Sequence, residues 1–138
     1  MTSPALPAHR LRHALAGAAR QLHVVAGVLT SQRCPWCIAL MREQLEPRMR
    51  ASQQPALVVV EMDIDDATPI VMPDGQTMTA AQWGSRLGMT LTPTLAMLDR
   101  HARPIRPPLV GYASRDFYAA YLEEQIKGAQ LYWQNSKS

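Results

Sequence analysis

Residues 31–41, "SQRCPWCIALM", contain both cysteines of the chain. Cys34 and Cys37 are separated by two residues, a spacing that suits a redox-active dithiol, half of a metal site or a structural disulfide. An apolar run rich in valine precedes the pair, and apolar residues follow it at helical spacing. The pattern therefore predicts a turn from a buried strand into a helix, with Cys34 at the helix N-terminus and Cys37 one turn inside.

The helix N-terminus gives the two cysteines different chemistry. Its free N–H groups and its dipole favour a thiolate at Cys34, and the adjacent Arg33 adds positive charge. Cys37 should be better buried, which suits a thiol that resolves a mixed disulfide. Pro35 fits the first turn, where its missing N–H would have no partner, and Trp36 offers a flat apolar surface. Cys34 and Cys37 are thus the candidate catalytic pair, and Arg33, Pro35 and Trp36 tune it.

A zinc site is an alternative that the residues alone leave open. His9 and His13 are four residues apart on one helix face, and with both cysteines they would make a Cys₂His₂ set. Pro35 already starts a helix, however, and the two histidines belong to a polar helix next to the N-terminal tail. We therefore expect neither a metal nor a dissociable cofactor. A purely structural role of the cysteine pair is the other alternative.

The composition favours one globular domain. The chain has 138 residues, of which 47% are hydrophobic and 18% charged. Its net charge of +3 comes mainly from scattered arginines, which do not favour nucleic-acid binding. No stretch approaches the roughly 18 apolar residues of a membrane span. The first residues do not resemble a secretory signal, so we expect either a cytoplasmic protein or one whose signal is not part of this chain.

Strands and helices are predicted to alternate, which implies an α/β sandwich with parallel pairing and an antiparallel final strand pair. We expect a mobile tail over 1–7, one domain over 8–133 and a second tail over 134–138. The predicted elements are a helix over 8–21, a strand over 22–31, the helix that Cys34 opens, a strand over 56–65, a hairpin at Asp74-Gly75, a helix from Thr79 to Gly88, a strand and an edge strand over 94–112, and a last helix after Ser114.

Two helices carry more detailed expectations. Pro47 lies inside the helix that follows the cysteines, and it should kink or end that helix because it lacks an N–H. In the last helix, the spacing of the apolar residues predicts that Phe117, Ile126 and either Tyr121 or Leu122 face inward.

With these motifs the chain resembles the thioredoxin superfamily. The signs are the strand–CPWC–helix order and the later stretch "LTPTLAML". In that family a cis proline opens the strand beside the active site, and the matching residue here is Pro93, preceded by Thr92. Gly111 matches the glycine that precedes the family's closing helix. The resemblance implies a thioredoxin-like three-layer sandwich: a central mixed sheet, helices on both faces and an extra N-terminal helix. It also implies that Thr92 and Pro93 shape the groove for the substrate.

The chain looks most similar to bacterial periplasmic thioredoxin-like proteins, including those linked to sulfur oxidation, because of the N-terminal helix and the segment "DGQTMTAAQW". This resemblance implies a monomeric, periplasmic thiol–disulfide oxidoreductase. It would reduce disulfides of partner proteins and be recharged by an unidentified redox donor. The alternatives are a thiol oxidase or disulfide isomerase of the same fold, or a non-catalytic module that binds a partner through Trp36 and Pro93.

Two positions depart from the family pattern. Thioredoxins bury an aspartate six residues before the first cysteine, and that position is Val28 here. Their lysine on the neighbouring strand aligns with Glu61. Glu61 shares a strand face with Val59 and Asp63. If that face looks toward the cysteine helix, Glu61 is a possible general base for Cys37; if it looks outward, Glu61 is a surface residue.

Overall fold

A mixed sheet of five strands, in the order β1-β3-β2-β6-β7, forms the centre of the molecule. The structure is a computed structural model, and it describes residues 5–20 and 23–136. The strands are β1 (Leu6–Pro7), β2 (His23–Thr30), β3 (Ala56–Asp63), β4 (Ile70–Val71), β5 (Thr77–Met78), β6 (Thr94–Met97) and β7 (Leu109–Val110). The helices are α1 (Leu11–Arg20), α2 (Pro35–Leu40), α3 (Glu46–Arg50), α4 (Ala80–Arg86) and α5 (Arg115–Asn135).

The pairing of the sheet confirms the predicted fold class. β2 pairs in parallel with β3 and antiparallel with β6, and β6 pairs antiparallel with β7. Every residue of β2 from Val24 to Thr30 is buried, as expected for a central strand covered on both faces. The fold is thus a thioredoxin-like α/β sandwich, with a central mixed sheet flanked by helices that include an N-terminal one.

The N-terminal segment differs from the prediction. A mobile tail over 1–7 is wrong for Leu6 and Pro7, which form β1 and pair in parallel with Val60 and Glu61 of β3. The cause is the edge of β3, which offers backbone donors and acceptors to any strand that can reach it. Residues 1–4 lie outside the described residues. At the other end α5 runs to Asn135, beyond the predicted boundary at residue 133.

The helix that follows the cysteines continues through Pro47. A π-helical turn over Met41–Leu45 joins α2 to α3, and Pro47 lies in the first turn of α3. The wider turn lets the chain remain helical where proline lacks an N–H. Leu40 and Leu45 are fully buried, so this composite helix is fixed to the core on both sides of the π-helical turn.

The predicted inward face of α5 is correct in part. Leu122 and Ile126 are buried, whereas Phe117 is 64% exposed and Tyr121 is 58% exposed. Tyr118 takes the inward place instead, and its ring packs edge-on against Tyr112 with the ring centroids 5.1 Å apart. The expectation for Phe117 is therefore wrong, because Tyr118 is in helical phase with the buried Leu122, and Phe117 is not.

Candidate active site: the Cys34–Cys37 disulfide

Cys34 and Cys37 form a disulfide at the start of α2. Cys34 is the N-cap residue, and its Sγ accepts a hydrogen bond of 3.1 Å from the backbone N–H of Cys37. The two residues are almost equally buried, at 8% and 7% exposed, so the predicted difference in burial is not found. What distinguishes them is the helix: the sulfur of Cys34 lies against the free N–H groups, where negative charge is stabilised.

The turn that leads into Cys34 is held from two sides. Ser31 Oγ lies 2.9 Å from Thr92 Oγ1, and the backbone N–H of Gln32 donates to the carboxylate of Asp65 at 2.7 Å. Arg33 has a φ of 58°, in the left-handed region that residues other than glycine rarely adopt. The contacts of Ser31 and Gln32 therefore hold Arg33 in a strained conformation directly before Cys34.

The Thr92–Pro93 segment lies beside this turn. Its peptide bond is cis. Thr94 pairs with Leu29 of β2, so Pro93 comes level with the end of that strand. The N–H of Gly111 donates to the carbonyl of Pro93 at 2.7 Å, and Gly111 has a φ of 76°. Thr92 and Pro93 are thus held against the turn that leads into Cys34, and Gly111 is held against Pro93.

Three apolar side chains are exposed on α2, next to the Thr92–Pro93 segment and on β7. Pro35 begins α2, and Trp36 is 62% exposed. Leu91, next to Thr92, and Val110, which pairs with Thr94, are also exposed. We call Trp36, Leu91 and Val110, together with the half-buried Thr92 and the buried Pro93, the docking face. Exposed apolar groups with polar surroundings are typical of surfaces that bind other proteins.

Glu61 faces the cysteine helix from β3. It pairs in register with Val28, and its Oε1 accepts a hydrogen bond of 3.2 Å from the hydroxyl of Thr30. A groove of about 170 Å³ is lined by Glu61, Thr30 and Cys37, and continues along α2 past Ile38. We call this the Cys37 groove. The sequence-predicted thiol and the candidate base therefore border the same small space.

A contact that the sequence did not predict joins the cysteine helix to the segment after β7. The hydroxyl of Tyr112 donates to Glu43 at 2.7 Å and accepts from Gln44 at 3.1 Å. Arg115 forms an ion pair with Glu43 at 3.1 Å. Burial raises the pKa of the Tyr112 phenol, and the hydrogen bond to Glu43 acts in the same direction. One indication in the sequence that Tyr112 lies near the site is that it directly follows Gly111, which matches a glycine of the family pattern.

The larger cavities lie elsewhere. One of about 430 Å³ is lined by Met72, Trp83 and Arg103, and another of about 460 Å³ by Arg12 and Trp133. Cys37 therefore borders a small groove of about 170 Å³ and neither of the larger cavities.

Within residues 5–20 and 23–136, no group of three or more His, Cys, Asp or Glu side chains is placed to hold a metal ion. His9, one of the four residues of the zinc alternative, borders a different cavity from the one that Cys37 borders. In the same ranges no helix combines the length and the apolar character needed to cross a bilayer.

A disulfide at the N-terminus of a helix, beside a proline-led strand of a mixed sheet, defines a thioredoxin-type dithiol protein. The family model for the thioredoxin-like domain matches residues 11–126, so the chain belongs to that family. None of the curated proteins compared with the chain matches it.

Solved thioredoxins have the same fold at low sequence identity. Oxidised thioredoxin O2 from Arabidopsis thaliana superimposes with a TM-score of 0.60 at 15% identity, covering 91% of this chain and 97% of its own. Thioredoxin NaTrxh from Nicotiana alata gives 0.61 at 12% identity, covering 91% and 96%. A thioredoxin-fold protein from Helicobacter pylori gives 0.58 at 16% identity, covering 84% and 74%. These similarities concern the fold, and the Cys34–Cys37 pair adds the redox chemistry of a thiol oxidoreductase.

Proposed function

We propose that this protein reduces disulfides of partner proteins, with Cys34 as the attacking thiol and Cys37 as the resolving thiol. The observation that carries the proposal is the position of Cys34 Sγ at the N-cap of α2, where it accepts the N–H of Cys37. This hydrogen bond and the helix dipole stabilise a thiolate at Cys34 after reduction. Cys37 is the only other cysteine, so it is the internal thiol that can release the substrate.

Two successive thiol–disulfide exchanges transfer two electrons from the dithiol of this protein to the substrate disulfide. The Cys34 thiolate attacks one sulfur of the substrate disulfide, forms a mixed disulfide and releases one substrate thiolate. The Cys37 thiolate then attacks Cys34 Sγ, releases the second substrate thiolate and leaves the Cys34–Cys37 disulfide. A dithiol donor, not yet identified, must reduce this disulfide before the next turnover.

The docking face supports a protein as the substrate. Trp36 next to Cys37, Leu91 next to Thr92 and Val110 opposite Thr94 offer exposed apolar area, and Thr92 is held against the turn before Cys34. An extended segment that carries a cystine can lie across this face and present one sulfur to Cys34.

An insulin-reduction assay with dithiothreitol as the donor tests the proposal. The wild type should accelerate precipitation of the insulin chains, and Cys34→Ser should leave only the donor's background rate. Equal rates with and without the protein would instead favour the non-catalytic binding module.

The direction of electron flow depends on the reduction potential, which spans about −270 to about −120 mV among thioredoxin-type proteins. A potential near the reducing end supports the reductase, and one near the oxidising end supports the oxidase or isomerase alternative.

We also propose that the protein is a periplasmic monomer, because it resembles the sulfur-oxidation-associated group. Cell fractionation and sedimentation velocity test this proposal.

A further inference from the structure

We propose that Glu61 accepts the proton that Cys37 loses when it resolves the mixed disulfide, and passes it to a second cavity on the outer side of β3. This inference rests on the proposed function, because it concerns the second of the two exchanges. It assigns an acid–base group to an active site whose neighbouring strand position, Val28, is apolar.

The need for a proton acceptor follows from the burial of Cys37. The residue is 7% exposed, and a thiol must become a thiolate before it attacks a disulfide. Val28 is 1% exposed and has no group that can take a proton. A buried thiol with only apolar neighbours would hold its proton, because burial disfavours the charged form.

Glu61 is placed to meet this need. It borders the Cys37 groove, and Thr30 donates a hydrogen bond to its carboxylate at 3.2 Å, which fixes the side chain on the groove side of β3. The groove measures about 170 Å³, enough for a few waters at roughly 30 Å³ each. In the proposed step such water lies between the Sγ–H of Cys37 and the carboxylate.

The same carboxylate borders a second cavity, of about 230 Å³, which we call the His9 cavity. Its other polar walls are His9, Asp63, Asp66 and Thr68. One wall of the cavity is formed by Pro7, Ala8 and His9. Pro7 is the last residue of β1, and it pairs with Glu61 of β3. Glu61 thus stands between the thiol and a cavity rich in proton acceptors, as expected for a relay.

The charged and titratable groups around Glu61 come from four elements. They are Cys37, Arg42 and Glu46 on the composite helix, Asp63 on β3, Asp66 on the following loop, and His9 after β1. Glu46 is the other carboxylate of the Cys37 groove, and it forms an ion pair with Arg50. It lies nine residues beyond Cys37 along the composite helix and is engaged by Arg50, whereas Thr30 holds Glu61 in the groove.

The step balances in atoms and charge. The proton of Cys37 Sγ–H passes through water to the Glu61 carboxylate, and the resulting thiolate attacks Cys34 Sγ. The bond between Cys34 and the substrate sulfur breaks, and the substrate leaves as a thiolate. Glu61 then releases its proton into the His9 cavity and is ready for the next turnover.

Ellman's reagent separates the two exchanges in one stopped-flow trace. The reduced protein releases a first thionitrobenzoate when Cys34 attacks, at a rate proportional to the reagent concentration. It releases a second when Cys37 resolves the mixed disulfide, at a rate independent of that concentration. Glu61→Gln should slow the second phase at least about tenfold at neutral pH and leave the first phase unchanged.

The pH profile identifies the carboxylate as the cause. The wild-type second phase should be level through the neutral range, whereas that of Glu61→Gln should rise with pH as hydroxide replaces the base. Glu46→Gln is the matched control and should follow the wild type. Glu61→Asp keeps the carboxylate and should retain the level profile, with a second phase within about threefold of the wild type.

An unchanged second phase in Glu61→Gln overturns the role of Glu61 and leaves the proposed function standing. A slowed second phase in Glu46→Gln, or a profile of Glu61→Asp like that of Glu61→Gln, also overturns it. A wild type that releases the first thionitrobenzoate but never the second overturns both proposals.

Discussion

The two sides of α2 differ in character. On one side lies the docking face, with exposed apolar groups and the Thr92–Pro93 segment. On the other lies the Cys37 groove, whose lining combines the apolar Ile38 and Met41 with polar and charged side chains, among them Thr30 and Glu61. In the functions proposed above, substrate binding uses the first flank of the helix and proton transfer uses the second. Changes on one flank should therefore leave the chemistry of the other intact.

The largest change in activity is expected from a substitution on the docking face, and it should affect insulin binding alone. Trp36→Ala removes the most extensive apolar side chain beside the disulfide and should raise KM for insulin about tenfold, because buried aromatic anchors dominate many protein interfaces. The rates with Ellman's reagent, which needs no protein contact, should stay within about twofold of the wild type. Insulin turnover and stopped-flow traces measure the two effects.

Leu131→Ala is the control for the docking face, since Leu131 is another large apolar residue and is 55% exposed on α5. It should leave KM for insulin unchanged. A similar increase in KM for both variants would mean that insulin binds exposed apolar groups without preference for the docking face.

A smaller effect concerns the contact between the composite helix and the segment after β7. Tyr112→Phe removes the hydroxyl that joins Glu43 and Gln44, and it should lower the free energy of unfolding by about 1 kcal/mol. Both flanks of α2 should keep their kinetics, because the contact supports the helix and not the sulfurs. Urea unfolding and the two thionitrobenzoate phases test this.

The contribution of Tyr112 to the free energy of unfolding should also depend on pH. The pKa of Tyr112 is raised above its ordinary value of 10.0, mainly by burial. A raised pKa means that the folded state favours the neutral phenol, so this stabilisation is present below pH 10 and is lost as pH rises through the folded-state pKa. The difference in unfolding free energy between the wild type and Tyr112→Phe should shrink above pH 10. A difference that grows there would contradict this account.

The smallest effect is expected at Arg33. Glycine tolerates the φ of 58°, so Arg33→Gly should stabilise the fold by roughly 0.5 kcal/mol, the relief of strain being partly offset by the entropy of glycine in the unfolded chain. The variant also loses a positive charge, and alkylation of Cys34 by iodoacetamide should slow about twofold. Arg33→Lys should keep the alkylation rate, which separates charge from strain.

The elements that the sequence predicted correctly are those with local signals. Thr79 and Gln82 form the reciprocal cap that starts α4, and Gly88 has the positive φ expected at its end. The hairpin around Asp74-Gly75 follows equally from turn chemistry. The helix N-terminus at Cys34 belongs to the same group, because strand, proline and apolar stripe are adjacent in sequence.

What the sequence could not predict depends on contacts between distant segments. Leu6 and Pro7 carry no strand pattern, and they join the sheet only because the edge of β3 lies next to them. The hydrogen bond between Tyr112 and Glu43 spans 69 residues, and no local pattern indicates it. The orientation of Glu61 could be stated only as two alternatives, because strand alternation defines a face but not which helix covers it.

Trapping the mixed disulfide distinguishes the attacking thiol, proposed as Cys34, from the resolving thiol, proposed as Cys37. Reduced Cys37→Ser and Cys34→Ser are each mixed with insulin, quenched with acid and analysed by non-reducing electrophoresis and mass spectrometry. We predict that Cys37→Ser accumulates a covalent complex through Cys34, because nothing resolves it, and that Cys34→Ser forms little or none. Accumulation of the complex only in Cys34→Ser, through Cys37, would contradict the assignment.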